Sequence, residues 1–285
     1  MTQSLREQGI EVIEVNANED ANRQLEQIRD CITQEVDGII IIPQDGESVI
    51  AMIEEANVAE IPVAVFNRPP NPDNPHDAIV VVADNVAIAE AAVEHLAEQV
   101  RALDLGRPAI PLIMVGALAD TNAIGRREGF FNVVNANPDL FGEAIEVPTE
   151  WDASVALANL ESALQANPEV DMIFTSSDFL FPQIRAALAQ RGRWAPSGDP
   201  GHMILGGLDG DVTACELIKE GYVDSTGVQD LFFEADATVT ALLEAIAEGD
   251  TSPNEIIRDE GFALTQANIG EREMDMWGCV LLAEQ

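Results

Sequence analysis

The chain has 285 residues, enough for two domains of ordinary size and little more, and its 47% hydrophobic but only 5% aromatic content describes a globular protein of aliphatic strands and Ala-rich helices. Fifty-one acidic against fourteen basic residues give a formal net charge of −37, a surface that repels phosphate backbones and excludes nucleic acid as a partner; salt should stabilise such a chain by screening its own carboxylates. Cys31, Cys215 and Cys279 share no C-x-x-C spacing, which excludes a zinc ribbon, a thioredoxin-type site and a disulfide framework and reads as three buried thiols.

The first residues, MTQSLREQG, read as the last turns of a helix closed by Gly9, with no strand before them. No apolar run reaches the ~18 residues of a membrane span, and the basic-then-apolar layout of a signal peptide is absent. Beyond Gly9, short aliphatic runs alternate with amphipathic helices, as a parallel sheet covered on both faces requires. IEVIEV (10–15), DGIIII (37–42), IPVAVF (61–66) and AIVVVA (78–83) are predicted strands. Leu25, Ile28, Ile32 and Val36 mark one intervening helix stripe, and Val49, Ile53 and Ala56 another.

From residue 84 the same grammar continues. Val86, Ala89, Val93, Leu96 and Val100 trace a long helix before the strand IPLIMV (110–115). EAIEV (143–147), VDMIFT from Val170, HMILGGL (202–208) and YVDSTGV (222–228) follow, with helices between them. Phe232, Ala235, Val239, Leu242 and Ile246 mark a further helix, and IIRDEGFALT (256–265) a short extended return. NRPPNPDNP (67–75) and APSGDPG (195–201) are surface loops. The predicted fold is α/β, with two doubly wound parallel sheets.

In open α/β sheets, ligands sit outside the carboxyl ends of the strands. Asn67 and Arg68 follow IPVAVF, Asp84 and Asn85 follow AIVVVA, Ser177 and Asp178 follow VDMIFT, Asp209 follows MILGGL, Gln229 follows STGV, and Trp151 lies in the loop after EAIEV. Planar amide, carboxylate and guanidinium groups each span two neighbouring hydroxyls, and an aromatic face covers the C–H side of a sugar ring, so this set suits a monosaccharide or polyol. Strand-end Asp and Asn serve equally to cap the next helix, which leaves Asp84, Asn85 and Asp178 open between capping and binding. Trp151 is open between packing and binding.

Catalytic and cofactor signals are lacking. GGLDG (206–210) does not have dinucleotide-loop spacing, and no G-K-[ST] occurs. His76, His95 and His202 are scattered, so neither a metal site nor a Ser/His/Asp triad has a locus, and Asp209 with Asp211 lacks the rest of a calcium loop. The expectation is a binder with no metal and no cofactor.

In order along nearly the whole chain, NEDANRQLEQIRDCITQEVDGIIIIPQD, IPVAVFNRPP, VVVADN, RREGF, EWD, IFTSSD, LGGLDGD, STGVQD and FALTQANI resemble the type I, ribose-type periplasmic sugar-binding proteins of ABC transporters. The resemblance implies two lobes, residues 1–83 with 230–264 and residues 84–229 with 265–285. It implies three hinge crossings, involving Asp84 and Asn85, Asp230, and Thr265 with Asn268. Asn67, Arg68, Trp151, Ser177, Asp178, Asp209 and Gln229 are the implied sugar contacts, in a cleft between the lobes. It further implies a periplasmic or extracytoplasmic protein exported from a precursor with a signal peptide, with ABC permease subunits as partners and no membrane association except through the permease or a lipid anchor. The sensory core of a lactose-repressor-type regulator and a sugar sensor serving a chemoreceptor or kinase are the alternative readings. Three departures stand out: the family's opening strand is absent, Ser177 and Asp178 replace the usual Asn-Asp pair, and Ile124 stands where ribose binders carry an arginine. With a central strand and half a helix lost, one sheet is expected to carry an open, apolar slot, and poor stability or a swapped partner strand is expected if the chain is complete.

Overall fold

The computed structural model describes residues 1–74 and 76–284; Pro75 of the Pro-rich loop and Gln285, the last residue of the expected second lobe, lie outside the described residues. The chain opens with α1 (Thr2–Glu7), which Gly9 terminates with a φ of 82°, then α2 (Ala21–Thr33), β1 (Ile39–Ile41), α3 (Ser48–Val58), β2 (Val63–Phe66) and β3 (Ile79–Ala83). It continues through α4 (Asn85–Ala102), β4 (Ile110–Val115), α5 (Thr121–Ala136), β5 (Ile145–Pro148), α6 (Ala153–Ala166) and β6 (Val170–Thr175). Next come α7 (Phe181–Ala189), β7 (Ile204–Asp209), α8 (Val212–Lys219), β8 (Ser225–Val228) and α9 (Leu231–Glu248). β9 (Glu255–Asp259), β10 (Phe262–Thr265), α10 (Ile269–Arg272) and α11 (Trp277–Ala283) complete it.

Two compact units result. The first comprises Met1–Ala83, Ala119–Asn122 and Leu231–Asp259; the second comprises Asp84–Leu118, Ala123–Asp230 and the chain from Glu260 onward. The first holds a four-stranded, all-parallel sheet in the order β1-β2-β3-β9. Alternate residues of its strands feed separate cores on the two faces: Val80 and Val82 pack with Val49, Met52 and Ile53 of α3, whereas Ile79 and Val81 pack with Ala241, Leu242 and Ala245 of α9. The second holds six strands in the order β10-β8-β7-β6-β4-β5, parallel except for β10, which runs antiparallel to β8.

Short acidic side chains fix where the helices begin. Asp20 accepts the Asn22 and Arg23 amides ahead of α2, Asp152 those of Ser154 and Val155 ahead of α6, Asp84 that of Ala87 in α4, and Asp211 that of Ala214 in α8. The caps at Asp84, Asp152 and Asp211 set the residues at which strand-end loops stop, and so hold loops that carry groups described below.

Four expectations need correction. IEVIEV makes no ladder among the described residues, and Ile13 and Val15 stay 46% and 57% exposed. An aliphatic run becomes a strand only when a neighbour takes its backbone bonds, and two glutamates interrupt this one. The extended return divides into β9 and β10, which belong to different sheets. Gly261 joins them at a φ of 53°, where an added Cβ would lie 2.3 Å from Ile88 Cδ1.

Because β10 is already paired with β8, the chain's last passage between units falls at residues 259–260 and not at Thr265 and Asn268, and residues 260–264 go with the second unit. Thr265 and Asn268 instead close a turn inside that unit: Asn268 Oδ1 accepts the Thr265 amide at 2.8 Å, and its Nδ2 donates to the Ala263 carbonyl at 3.0 Å. The remaining passages are at residues 83–84 and 230–231, with Ala119–Asn122 as a short excursion. Finally, the cysteines are not three buried thiols. Cys215 in α8 and Cys279 in α11 form a disulfide with a Cα–Cα distance of 5.3 Å, and Cys31 is a partly exposed free thiol. Partners 64 residues apart leave no local spacing to read.

Candidate ligand-binding site

β6, β7 and β8 are neighbours in the second sheet, so the residues at their carboxyl ends converge. Asp209 is at the centre. Its Oδ2 accepts the Ser177 hydroxyl, and its Oδ1 accepts Gln229 Nε2 at 3.2 Å and lies 2.8 Å from Arg126 Nη1.

Arg126 comes from α5, and its side chain is only 4% exposed against 18% for that of Asp209. Its guanidinium also donates to Asn85 Oδ1 at 2.7 Å, to the Ser176 carbonyl at 2.8 Å and to Gln229 Oε1 at 3.2 Å. A buried cation needs this many partners, since leaving one charge uncompensated costs several kcal/mol. The outcome is a fixed row of carboxylate, amide and guanidinium at one sheet end. Such a row offers donors and acceptors at the spacing of vicinal hydroxyls.

Asp178 lies inside this row and not on its surface. It is fully buried; Thr226 donates its hydroxyl to the carboxylate and Gly210 its amide, the latter at 2.7 Å. Burial, reinforced by the Asp211 and Asp209 carboxylates, holds the Asp178 carboxyl well above the usual carboxylate range, although the Thr226 and Gly210 bonds oppose the shift. Its reach is to the backbone that carries Asp209. Burial also raises Asp211, against the opposing bond from the Ala214 amide.

Trp151 sits at a φ of 55° in the loop after β5, half-buried, with its ring against Gly116 at the end of β4. A Cβ at Gly116 would come within 2.0 Å of that ring, so only glycine admits it. The Phe179 ring is 6.3 Å away at a tilt of 54°. An indole and a phenyl are therefore paired on the unit that carries the polar row.

The first unit carries its own strand-end cluster. Asn67 takes a φ of 66°, donates Nδ2 to Glu234 Oε2 at 3.4 Å, and its carbonyl accepts Asn122 Nδ2 at 3.1 Å. Arg68 Nε is 3.1 Å from Asp120 Oδ2, a carboxylate only 4% exposed. Among the described residues no group of three or more His, Cys, Asp or Glu side chains could hold a metal.

A profile describing a periplasmic binding protein domain matches residues 1–251. The chain belongs to the periplasmic binding protein family. Among the curated relatives of this periplasmic binding protein is the ribose import binding protein of Bacillus subtilis, 24% identical over 79% of the chain and 68% of that protein. Another is a xylitol-binding protein of Mycolicibacterium smegmatis, 24% identical over 97% of the chain and 77% of that protein. Of the solved structures, a Mycobacterium smegmatis protein in complex with β-D-fucofuranose superposes with a TM-score of 0.83 at 20% identity, covering 98% of the chain and 90% of that structure. A Bacillus halodurans solute-binding protein with bound myo-inositol gives 0.82 at 23% identity, over 96% and 90%. These likenesses give the periplasmic binding protein its fold, the predicted α/β pair of parallel sheets.

Of the sequence-derived candidates, Ser177, Asp209 and Gln229 meet in one bonded cluster, and Asn67 and Arg68 lie at neighbouring positions in another. Asp84 caps α4, and Asn85, the first residue of that helix, turns its side chain onto Arg126. Asp230, half-buried, ends the second unit's stretch before α9. Arg126, Asp120 and Asn122 were missed. They sit in or just before a helix, where a rule that inspects residues following aliphatic runs does not look; the RREGF motif was the available signal for Arg126.

Proposed function

We propose that this protein captures a monosaccharide or related polyol and delivers it to the permease of an ABC importer, acting as a binder without catalysis. The observation that carries the reading is the buried Arg126–Asp209 pair with Gln229 and Ser177 bonded to the same carboxylate. This arrangement is preorganised, so a polyol needs to order few side chains on binding. Trp151 and Phe179 supply apolar ring surface for the C–H face of the ligand. Asn67 and Arg68 are proposed ligand contacts on the face of the first unit. The relatives named for ribose import and for binding xylitol, and the neighbours holding myo-inositol and β-D-fucofuranose, are consistent with the same chemical class.

An extracytoplasmic location is part of the proposal. The Cys215–Cys279 disulfide suits an oxidising compartment, and the family is one of periplasmic proteins. Among the described residues no helix is long and apolar enough to cross a membrane.

A thermal-shift screen of pentoses, hexoses and cyclitols tests the reading, because a ligand that binds only the folded state raises the melting temperature by mass action. At least one sugar should raise it, and Asp209→Ala should abolish that rise while the protein remains folded. A flat response across the panel, from protein shown to be folded, overturns the proposal.

A further inference from the structure

Asp209 holds its carboxylate in place on an unusual backbone. Its φ is 135°, a value that non-glycine residues rarely adopt, and Gly210 follows at 82°. Such a conformation persists only where the surroundings over-determine it. From beneath, Asp178 accepts the Gly210 amide at 2.7 Å.

The other restraint comes from the far end of the chain. Trp277 Nε1 donates to the Asp209 carbonyl at 2.9 Å, and the Gly278 amide donates to the Gly210 carbonyl at 3.1 Å. Gly278 is pressed so closely on the same loop that an added Cβ would lie 2.2 Å from the carbonyl carbon of Asp211. Met276 is completely buried beside these two residues. Cys279 then bonds Cys215 in α8, the helix that Asp211 caps. Trp277 and Gly278 thus fasten the backbone of residues 209–211, Met276 packs beside Gly210, and the disulfide at Cys279 fastens the segment in turn. This segment lies beyond residue 251, where the family match ends.

We propose that α11, locked to α8 by Cys215–Cys279, is a positioning element for ligand binding: it holds the Asp209 backbone in its left-handed-region conformation and so aims the carboxylate that meets the ligand. Trp277 is a positioning residue and touches the loop, not the sugar. The inference rests on the sugar-binding reading for its effect on affinity, but the mechanical part stands on the bonds to residues 209–211 alone.

Two variants test it, Trp277→Phe, which keeps a ring and removes the N–H, and Cys215→Ser/Cys279→Ser, which releases the helix. Amide hydrogen exchange of ligand-free protein should speed up at Gly210, Asp211 and Gln229, whose amides donate to Asp178 and to the Asp209 carbonyl. Calorimetric titration with D-ribose, D-xylose and myo-inositol, run well below the melting temperature, should show the dissociation constant of the bound probe rising roughly fivefold for Trp277→Phe, the size of one lost hydrogen bond. Trp194→Phe removes an indole that stacks on Tyr222 elsewhere in the same unit and should leave affinity unchanged.

Unaltered exchange at those three amides in both variants overturns the clamp. Faster exchange with unaltered affinity overturns its part in binding, as does an equal loss of affinity in Trp194→Phe. If the unaltered protein binds none of the probes, nor any sugar in the thermal-shift panel, the sugar reading fails instead, and the exchange measurement still decides whether α11 holds the loop.

Discussion

The two strand-end clusters are built from the same charges at different depths. In the second unit the Arg126 side chain is 4% exposed and bonds groups from α4, β6, β7 and β8 or the residues just beyond them, whereas in the first unit Arg68 stays 31% exposed and reaches chiefly Asp120. A buried guanidinium with every partner in place has one geometry, because moving it strands several polar groups at once. A half-exposed one can exchange a protein partner for water at small cost. The second cluster is therefore a rigid template, and the first an adaptable one.

The largest expected effect separates them directly. Arg126→Ala leaves the Asp209 carboxylate and Asn85 Oδ1 without their bond and should lower stability by about 3–5 kcal/mol, the cost of breaking a buried pair. It should also remove all response to sugar. Arg68→Ala should cost less than that, since a guanidinium that is 31% exposed is already partly hydrated, but it still removes a partner from the buried Asp120 carboxylate. Urea unfolding of both variants measures the difference, and equal losses would break the comparison.

Gly116→Ala tests the aromatic pair on the same unit. The new methyl must displace the Trp151 ring, an overpacking change worth about 1–3 kcal/mol, and the displaced indole should shift the intrinsic fluorescence and weaken sugar binding. An unshifted spectrum with normal binding would mean that the pair adapts as readily as the cluster of the first unit.

The contrast between rigid and adaptable parts also governs what the sequence disclosed. Strands buried on both faces must be continuous aliphatic runs, so IPVAVF, AIVVVA and IPLIMV were plain to see and appear as β2, β3 and β4. Strand-end residues could be located from where the runs stop, and Ser177, Asp209 and Gln229 do meet. Arg126 was not legible in that way, since its role depends on how α5 lies across strand ends far away in the chain. The Cys215–Cys279 bond and the clamp on residues 209–211 likewise come from packing α11 on α8, which no local pattern records. IEVIEV failed for the opposite reason: its pattern is strand-like, but backbone pairing is a property of two segments, not one.

Asp178 supports the template from within, and its charge can be separated from its shape. Asp178→Ala leaves the Gly210 amide and the Thr226 hydroxyl without their acceptor, at about 1–3 kcal/mol for a buried group. Asp178→Asn keeps an acceptor. The carboxyl is held above its usual range first by burial and then by Asp211 and Asp209, so the folded state binds its proton more tightly than the unfolded chain does. Its stabilising contribution is fully present below the unfolded value of about 3.9 and is lost as pH rises through the raised folded value. Asparagine has no such proton to lose, so Asp178→Asn should gain on the unaltered protein as pH rises, in unfolding curves from pH 4 to 8. A constant difference between the two would show that the template tolerates the charge.

His202 provides the smallest effect and lies away from the template, on the rim of the same unit. Its Nδ1 is 2.8 Å from the Ala195 carbonyl and its Nε2 3.0 Å from Asp224 Oδ2. Burial pulls the ring's pKa down, but the bond and charge of Asp224, helped by the Ala195 carbonyl, outweigh it, and the net shift is upward against a further lowering by Arg193. A raised histidine stabilises fully below its unfolded value of about 6.5, and that contribution fades as pH climbs through the folded value. His202→Gln should therefore flatten the pH dependence of stability above about pH 6.5, in a window distinct from that of Asp178. Sugar affinity in the same range should stay unchanged, because none of the His202 bonds reaches Arg126, Asp209 or Gln229. Affinity that followed the His202 titration would mean that rim and template are coupled, and that the rigidity of the second cluster extends well beyond its own hydrogen bonds.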